Sequence, residues 1–248
     1  MYTVGEKIAT REAYGKALAE FGATYDFAVL DADLAEATKT LYFKKAYPDR
    51  FIDCGIAEGN MIGIAAGIAS TGRTVFASSF AMFAAGRAFE QVRNSVGYPH
   101  LNVKIGATHA GITVGEDGAT HQCNEDIALM RTIPGMVVMC PSDDVEARAA
   151  VRAALEYEGP VYIRFGRAAV PVINDHPGYH FEIGKGTVVR EGKDVTIVAT
   201  GICVDSALGA AKMLEEEGIS AEVVNICTIK PLDEEIILNS AKKTGKVV

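Results

Sequence analysis

Short, continuously apolar runs alternate with helical patterns along this chain, and this alternation constrains its fold most. The runs that we predict to be strands are residues 27–30, 51–54, 74–77, 101–107, 136–140 and 161–165. The segments that we predict to be helices are residues 60–70, 82–96, 124–132 and 143–157. Strands without polar alternation are typical of a parallel sheet that helices cover on both faces. The sequence therefore predicts a doubly wound α/β domain, in which ligands bind at the carboxyl ends of the strands.

The composition of the chain disfavours several classes of function. The net charge of −8 disfavours sequence-independent binding of nucleic acid, which needs a basic face. The chain shows neither an apolar signal core nor a run long enough to span a membrane, so we predict a cytoplasmic protein. Its five cysteines are odd in number and lack metal-ligand spacing, which favours buried free thiols over a zinc site.

A change of composition marks a boundary in the last third of the chain. Residues 168–185 are rich in Pro, Gly, Asp and His, as interdomain connections are. We predict a first domain over residues 1–170, a linker over 171–186 and a second α/β domain over 187–248. The predicted elements of the second domain are strands at 194–200 and 220–225, helices at 203–218 and 233–243, and a third strand that begins at 246. A unit of about sixty residues is small for an independent core, so we expect either that a partner completes it or that the chain is a fragment.

Residues 109–122, HAGITVGEDGATHQ, form the segment richest in reactive side chains. They lie between an apolar strand and a helix that begins near Asn124. A connection of roughly fifteen residues is long for a compact domain, and such loops are usually functional or disordered. The two histidines, the neighbouring carboxylates and the glycines indicate an active-site loop. The alternative is a surface loop whose histidines are merely solvated.

Together with Gly55-Ile-Ala-Glu58 and Ser79-Phe-Ala-Met-Phe83, this loop resembles the C-terminal part of transketolases. The similarity covers essentially the whole chain, and the chain most resembles the pyrimidine-binding subunit of split transketolases. The three motifs, in this order, are specific to transketolase-like thiamine diphosphate enzymes. The resemblance implies a thiamine diphosphate-binding pyrimidine domain followed by an incomplete transketolase C-terminal domain. It also implies an activity, the reversible transfer of a two-carbon ketol unit from a ketose or its phosphate to an aldose or its phosphate, through a thiamine diphosphate ylide.

The resemblance assigns four cofactor-binding residues. Glu58 matches the glutamate that hydrogen-bonds the aminopyrimidine ring and takes part in its proton transfer. Phe83 matches the aromatic residue on which that ring stacks, and Phe80 lines the same pocket. Asp33 matches a cofactor-proximal aspartate. The alternatives are a glutamate that merely begins a helix and two phenylalanines that belong to the core.

The role assigned to Glu58 requires a particular environment. An apolar pocket would favour the protonated carboxyl, and we expect Ile56, Met61 and Ile62 to supply it. Gly59 departs from the His or Gln that is common in the family, which leaves a substrate or subunit contact open.

The resemblance also assigns the substrate-binding residues. His109 and His121 match two histidines near the donor sugar that can move protons, so both are candidate catalytic residues. Asp117 matches an aspartate that contacts the sugar hydroxyls. Arg11 and Arg167 match arginines that hold the phosphate at the far end of the sugar.

The phosphate site departs from the family in one place. Transketolases usually add a serine there, and this chain has Ala37 at that position. The loss of the hydroxyl weakens the prediction of a standard sugar phosphate, although Thr38 is expected to offer a substitute.

A second polypeptide is implied by what the sequence lacks. The motif Gly-Asp-Gly, followed some thirty residues later by Asn, holds Mg²⁺ and the diphosphate in these enzymes. Gly115-Glu-Asp-Gly118 is not that motif. The resemblance therefore implies an N-terminal subunit that binds the metal and the diphosphate, in an α2β2 assembly with the cofactor at each interface.

Other interpretations remain open. Deoxyxylulose-phosphate synthases are close relatives but typically carry Asp-Arg where this chain has His109-Ala110. The β-subunits of 2-oxo acid dehydrogenases share the fold and lack the loop motif. A third possibility is a non-catalytic remnant that is retained as a binding partner.

Overall fold

A seven-stranded sheet forms the centre of the computed structural model, which describes residues 5–248. Its strands are β2 (Phe27–Asp31), β3 (Phe51–Asp53), β4 (Thr74–Phe80), β5 (Val103–Thr108), β6 (Val137–Met139), β7 (Val161–Arg164) and β12 (Thr228–Lys230). Their order is β12-β6-β7-β5-β4-β2-β3, and every pair is parallel except β12 with β6. The predicted α/β class with a mainly parallel sheet is confirmed. Residues 1–4, which the predicted first domain includes, lie outside the described part of the chain.

Helices cover both faces of this sheet. They are α1 (Thr10–Phe21), α2 (Ala35–Thr38), α3 (Leu41–Ala46), α4 (Glu58–Ala69), α5 (Phe89–Gln91), α6 (Asp126–Arg131) and α7 (Asp144–Glu156). In β2, Ala28 and Leu30 face the core that α4 closes, whereas Phe27 and Val29 face the core under α1 and α7. Strands buried on both faces explain the continuous apolar runs in the sequence. Over residues 5–248, no helix has both the length and the apolar character needed to cross a bilayer.

The segment predicted as one helix over residues 82–96 differs from that prediction. Met82–Arg87 and Val92–Gly97 are π-helical, and the short α5 separates them. A π-helical turn holds more residues than an α-helical turn and often occurs at functional sites. Hydrophobic periodicity over six residues cannot distinguish the two, so the sequence indicated an ordinary helix.

The first strand of the chain pairs with the strand that follows β7. β1 (Lys7–Ala9) is antiparallel to β8 (Ala169–Pro171), with Ile8 opposite Val170. Part of the segment that resembled a linker is therefore a strand. Three-residue strands are too short to give a period-2 signal, which explains why the sequence missed both.

A smaller sheet forms the core of the second unit. It contains β9 (Thr187–Arg190), β10 (Val195–Ala199) and β11 (Ala221–Asn225), in the order β10-β11-β9. Two helices pack with it, α8 (Cys203–Glu216) and α9 (Glu234–Thr244). Val247 bridges Thr196 in a parallel sense, where the sequence predicted the start of another strand. The strand β12 leaves this unit and joins the edge of the large sheet.

Buried carboxylates connect the two units. Asp143 Oδ2 accepts a hydrogen bond from the backbone N–H of Asn174 at 2.8 Å. Glu146 Oε1 accepts one from Asn225 Nδ2, in the second unit, at 2.9 Å. Burial raises the pKa of Glu146 above its ordinary value. The first unit, the connecting segment and the second unit are therefore joined by one polar cluster.

Candidate active site

The carboxyl ends of neighbouring parallel strands meet at one edge of the large sheet. Strand β2 ends at Asp31, β3 at Asp53, β4 at Phe80, β5 at Thr108 and β7 at Arg164. The predicted site residues lie on these strand ends, on the segments that follow them and at the start of α1. This is the edge at which doubly wound folds bind ligands.

Glu58 is a buried carboxylate at the first position of α4. Its side chain is 2% exposed. Oε1 accepts a hydrogen bond from Ser79 Oγ at 3.3 Å, and Oε2 accepts one from Arg87 Nη1 at 3.0 Å. The expected apolar pocket is only partly correct, because Ile56 is 74% exposed. The carboxylate therefore has a polar side that the sequence did not indicate.

Two phenylalanines lie beside this carboxylate. The rings of Phe80 and Phe83 are nearly parallel, with centroids 6.3 Å apart and an angle of 17° between them. Phe80 is buried, whereas Phe83 is only partly buried. The imidazole of His121 meets the Phe83 ring edge-on at 5.2 Å. Phe83 therefore presents a ring face to the space above Glu58, and the buried ring of Phe80 lies beside it.

The space between these groups is a cavity of about 240 Å³. Its lining consists of Ala32, Asp33, Leu34, Ile56, Glu58, Phe83, Arg87 and His121. A carboxylate and an aromatic face thus converge on one small, largely apolar space. Such a space suits a flat ring that carries hydrogen-bonding nitrogens.

His109 follows β5 and is held in one protonation state. It is 3% exposed, and its ring stacks on Phe80 with centroids 3.8 Å apart. Burial, and then the nearby charges of Arg11 and Arg167, lower the pKa of His109 to about 3. Arg11 Nη1 lies 3.4 Å from Nε2, and Thr108 Oγ1 lies 2.9 Å from Nδ1. Because a guanidinium only donates, the neutral imidazole carries its proton on Nδ1 and offers the Nε2 lone pair.

Two arginines create a cationic region next to His109. Arg11 Nη1 donates to the backbone oxygen of Ala37 at 2.7 Å, and Arg167 Nη2 pairs with Glu116 Oε1 at 2.6 Å. Burial, and then the charge of Arg167, lower the pKa of Arg11. The buried Arg11 Nε has no hydrogen-bond partner among the described residues. Two guanidinium groups that repel each other form a region suited to an anion.

Thr38 does not supply the hydroxyl that Ala37 lacks. Its side chain is fully buried, and its Oγ1 donates to Asp31 Oδ2 at 2.7 Å. Thr40 Oγ1 donates to the same oxygen at 2.8 Å. Burial raises the pKa of Asp31 to about 6. Asp31, which the sequence did not single out, organises the turn after β2 and keeps Thr38 away from the site.

The neck of the long loop is fixed by residues that the sequence analysis missed. The N–H of Gly111 donates to the carbonyl oxygen of Cys123 at 2.8 Å, and Arg164 Nη2 donates to the same oxygen at 3.4 Å. Arg164 Nε and the hydroxyl of Tyr162 donate to Asp126 Oδ2 at 2.8 and 2.9 Å. Nothing in the spacing of these residues reveals the network, because tertiary folding alone brings them together.

The predicted aspartates lie at the margin of the site. Asp33 has a left-handed backbone with φ of 61° and lines the cavity. Asp117 is exposed on the loop and forms no side-chain hydrogen bond or ion pair with any part of the chain that the structure describes. The structure therefore brings Asp33 close to Glu58, whereas Asp117 faces solvent.

Two known domain families match the chain. The pyrimidine-binding domain of transketolase matches residues 6–172. The C-terminal domain of transketolase matches residues 184–248. Both domains follow the order that the sequence resemblance implied.

Individual proteins agree with these matches. A transketolase C-terminal section from Methanocaldococcus jannaschii is 56% identical over 93% of this chain and 73% of its own length. A 6-deoxy-6-sulfo-D-fructose transketolase subunit from a Clostridium species is 48% identical over 96% of this chain and 74% of its own. A split-gene transketolase solved as an inactive β4 tetramer superposes with a TM-score of 0.89 and 57% identity, over 97% of this chain and 77% of that one. The chain therefore belongs to the transketolase family, and it contains the pyrimidine-binding domain together with C-terminal domain sequence.

Proposed function

We propose that this chain is the pyrimidine-binding subunit of a heteromeric transketolase and that it transfers two-carbon ketol units between sugars when a partner subunit is bound. The observation that carries the proposal is the convergence of four side chains at one sheet edge. Buried Glu58 and the face of Phe83 line one cavity. Neutral His109 and the guanidinium of Arg11 lie beside it, connected through Phe80.

The residues present fit the aminopyrimidine end of thiamine diphosphate, the cofactor on which transketolases depend. Glu58 would hydrogen-bond a ring nitrogen, and Phe83 would stack on the ring, in a cavity of about 240 Å³. Asp33 would lie at its margin. When bound, the cofactor supplies the nucleophilic carbon that carries the ketol unit.

The side chains of this subunit divide the proton chemistry between them. Glu58 holds or releases a proton at its carboxyl oxygens, next to the ring site. His109 is neutral, and its Nε2 would accept a hydrogen bond or a proton from a sugar hydroxyl in place of the contact with Arg11 Nη1. His121, on the loop, meets the Phe83 ring edge-on and would exchange a proton at the same end of the sugar. Asp117, exposed on the loop, would accept hydrogen bonds from the remaining hydroxyls.

Arg11 and Arg167 would hold the anionic end of the donor. Each can form two charge-assisted hydrogen bonds to a phosphate or a sulfonate. The Clostridium relative is a 6-deoxy-6-sulfo-D-fructose transketolase subunit. Ala37 and buried Thr38 offer no hydroxyl here, and this favours testing a sulfonated ketose beside the sugar phosphate.

An N-terminal subunit would bring the diphosphate-binding half of the site together with Mg²⁺. The sequence contains no motif for these groups, and the relative solved as a β4 tetramer is described as inactive. Both observations support the need for a partner subunit, and we propose that the two subunits form an α2β2 enzyme.

A reconstitution experiment tests the proposal. The purified chain is assayed for ketol transfer with thiamine diphosphate and Mg²⁺, alone and after mixing with the diphosphate-binding subunit of a split transketolase. We expect no turnover from the chain alone and turnover from the mixture. Activity of the chain alone would contradict the subunit assignment. A stable complex that transfers no ketol unit from phosphorylated, sulfonated or unsubstituted ketoses would support the non-catalytic binding partner instead.

A further inference from the structure

Arg87 contacts both groups that define the ring site. Its Nη1 donates to Glu58 Oε2 at 3.0 Å, and its Cζ lies 5.4 Å from the centroid of the Phe83 ring. The guanidinium is therefore beside the carboxylate and over the aromatic ring at the same time. Neither the sequence motifs nor the family resemblance assigned a role to this residue.

The local backbone places Arg87 in this position. Phe83 and Arg87 are four residues apart within the π-helical segment Met82–Arg87, which directs both side chains into the cavity. The Arg87 side chain is 56% exposed, whereas Glu58 is 2% exposed. The arginine can therefore move into solvent without disturbing the core, but the carboxylate cannot.

A guanidinium and an aminopyrimidine form similar contacts with a protein. Both are planar, both stack on an aromatic face, and both form hydrogen bonds with a carboxyl group. An ion pair with Arg87 also requires Glu58 to be ionised, whereas a hydrogen bond from Glu58 to a ring nitrogen requires a proton on the carboxyl. The two partners of Glu58 are therefore alternatives.

We propose that Arg87 is a positioning residue that occupies the aminopyrimidine site of the unliganded subunit and is displaced when the cofactor binds. This inference rests on the proposed function, because it takes Glu58 and Phe83 as the ring site. The arginine keeps Glu58 paired and oriented while the ring is absent. When the ring binds, the ion pair breaks, the Glu58 carboxylate takes up one proton from solvent, and the guanidinium, still protonated, moves into solvent.

The test is a measurement of cofactor affinity in the reconstituted complex. Arg87→Met keeps an unbranched side chain that can pack on Phe83 and removes the competing cation. We expect the dissociation constant of thiamine diphosphate, measured by calorimetry, to fall by about tenfold, since a site held in a non-binding state weakens apparent affinity in proportion. The effect should fall on this constant more than on kcat.

A matched control and a second readout separate this role from a structural one. Arg93→Met removes a guanidinium from the next π-helical segment, where Arg93 Nη1 donates to Asn94 Oδ1 at 2.7 Å, and should leave the affinity unchanged. In the unaltered complex, binding should take up a proton, so the affinity should rise as the pH falls. This pH dependence should be weaker in the Arg87→Met complex.

Three outcomes would overturn the inference. They are an unchanged affinity, a weaker affinity and an unaltered pH dependence in the Arg87→Met complex. If that complex behaves so while Glu58→Gln still abolishes turnover, only the role of Arg87 is wrong. If the unaltered complex does not bind thiamine diphosphate at all, the proposed function fails as well.

Discussion

The two ends of the candidate site are built differently. At the proposed cofactor end, Glu58 begins a helix, Phe80 ends a strand and Phe83 belongs to a π-helical segment, so regular structure carries each group. At the proposed substrate end, Asp117 and His121 lie on a long loop, and Arg167 follows β7. Glu58 and Phe80 are buried, whereas Asp117 at the tip of the loop is exposed.

This difference matches two separate tasks, proton transfer at the first end and substrate binding at the second. A proton-transferring carboxylate needs a fixed position, which packed helices and strands provide. A sugar-binding region must admit and release a polar substrate, which a loop permits. Arg164 and Asp126 fix the neck of that loop, and its tip, at Asp117, remains exposed. We therefore expect substitutions at the cofactor end to lower kcat and those at the substrate end to raise KM.

The largest expected effect is at Glu58. Glu58→Gln preserves the shape of the side chain but cannot gain or lose a proton, so kcat of the reconstituted complex should fall by about 100-fold or more. Association with the partner subunit, measured by analytical ultracentrifugation, should be nearly unchanged. Retention of more than about a tenth of the activity would show that the carboxylate is not the acid–base group.

The next effect concerns Arg11 and Arg167. Replacing either with Ala should raise KM for an anionic ketose by roughly 10- to 100-fold, the loss expected for a charge-assisted hydrogen-bonded pair. KM for a ketose without an anionic group provides the control in the same variant and should change far less. Equal changes in KM for both substrates would contradict the assignment of the two arginines to the anionic group.

A third prediction uses the pKa of His109. Its pKa in the folded chain is about 3, below the ordinary 6.5, so between these values the unfolded chain binds a proton that the folded chain does not. Stability should therefore be lost as the pH falls through this window, by at most about 1.4 kcal/mol per pH unit. The difference between the unfolding free energies of the unaltered chain and His109→Asn should shrink toward low pH. Asp31 titrates in both proteins, so its opposite contribution cancels. If the difference between the two unfolding free energies does not change with pH, the neutral state of His109 is contradicted.

The smallest effect is expected at Ala37. Ala37→Ser restores a hydroxyl next to Arg11, whose Nη1 already donates to the backbone oxygen of residue 37 at 2.7 Å. One neutral hydrogen bond should lower KM for a sugar phosphate by about two- to tenfold. Thr38→Ser serves as the control, because that hydroxyl is turned toward Asp31. A higher KM for the phosphate with Ala37→Ser would indicate that the site selects a different anion.

The sequence predicted the parallel sheet because its strands are apolar on both faces, as β2 shows. It missed α1, whose buried face includes the small residues Ala13, Gly15 and Ala17 and so gives a weak periodic signal. It also missed the π-helical turns, which periodicity cannot separate from α-helix. The sequence therefore revealed elements with a regular hydrophobic pattern. It did not reveal a helix with a weak pattern or a π-helical turn inside a helical pattern.

The candidate site was predicted to a different extent. The motifs around Glu58, Phe83 and His109 are local, so the sequence could indicate them. The ion pair of Arg87 with Glu58 and the support of the loop by Arg164 depend on residues that only the fold brings together. The error at Thr38 has the same origin, because only the fold shows that its hydroxyl is turned toward Asp31.

The strand β12 has a consequence for how the chain unfolds. Thr228 of this strand pairs with Met139 of β6, so the second unit protects the outer edge of the large sheet. An uncovered edge strand is a template for pairing between molecules. The two units should therefore melt in one cooperative transition, and a chain cut within the connecting segment should expose β6 and aggregate. The second unit thus has a protective task that is independent of catalysis.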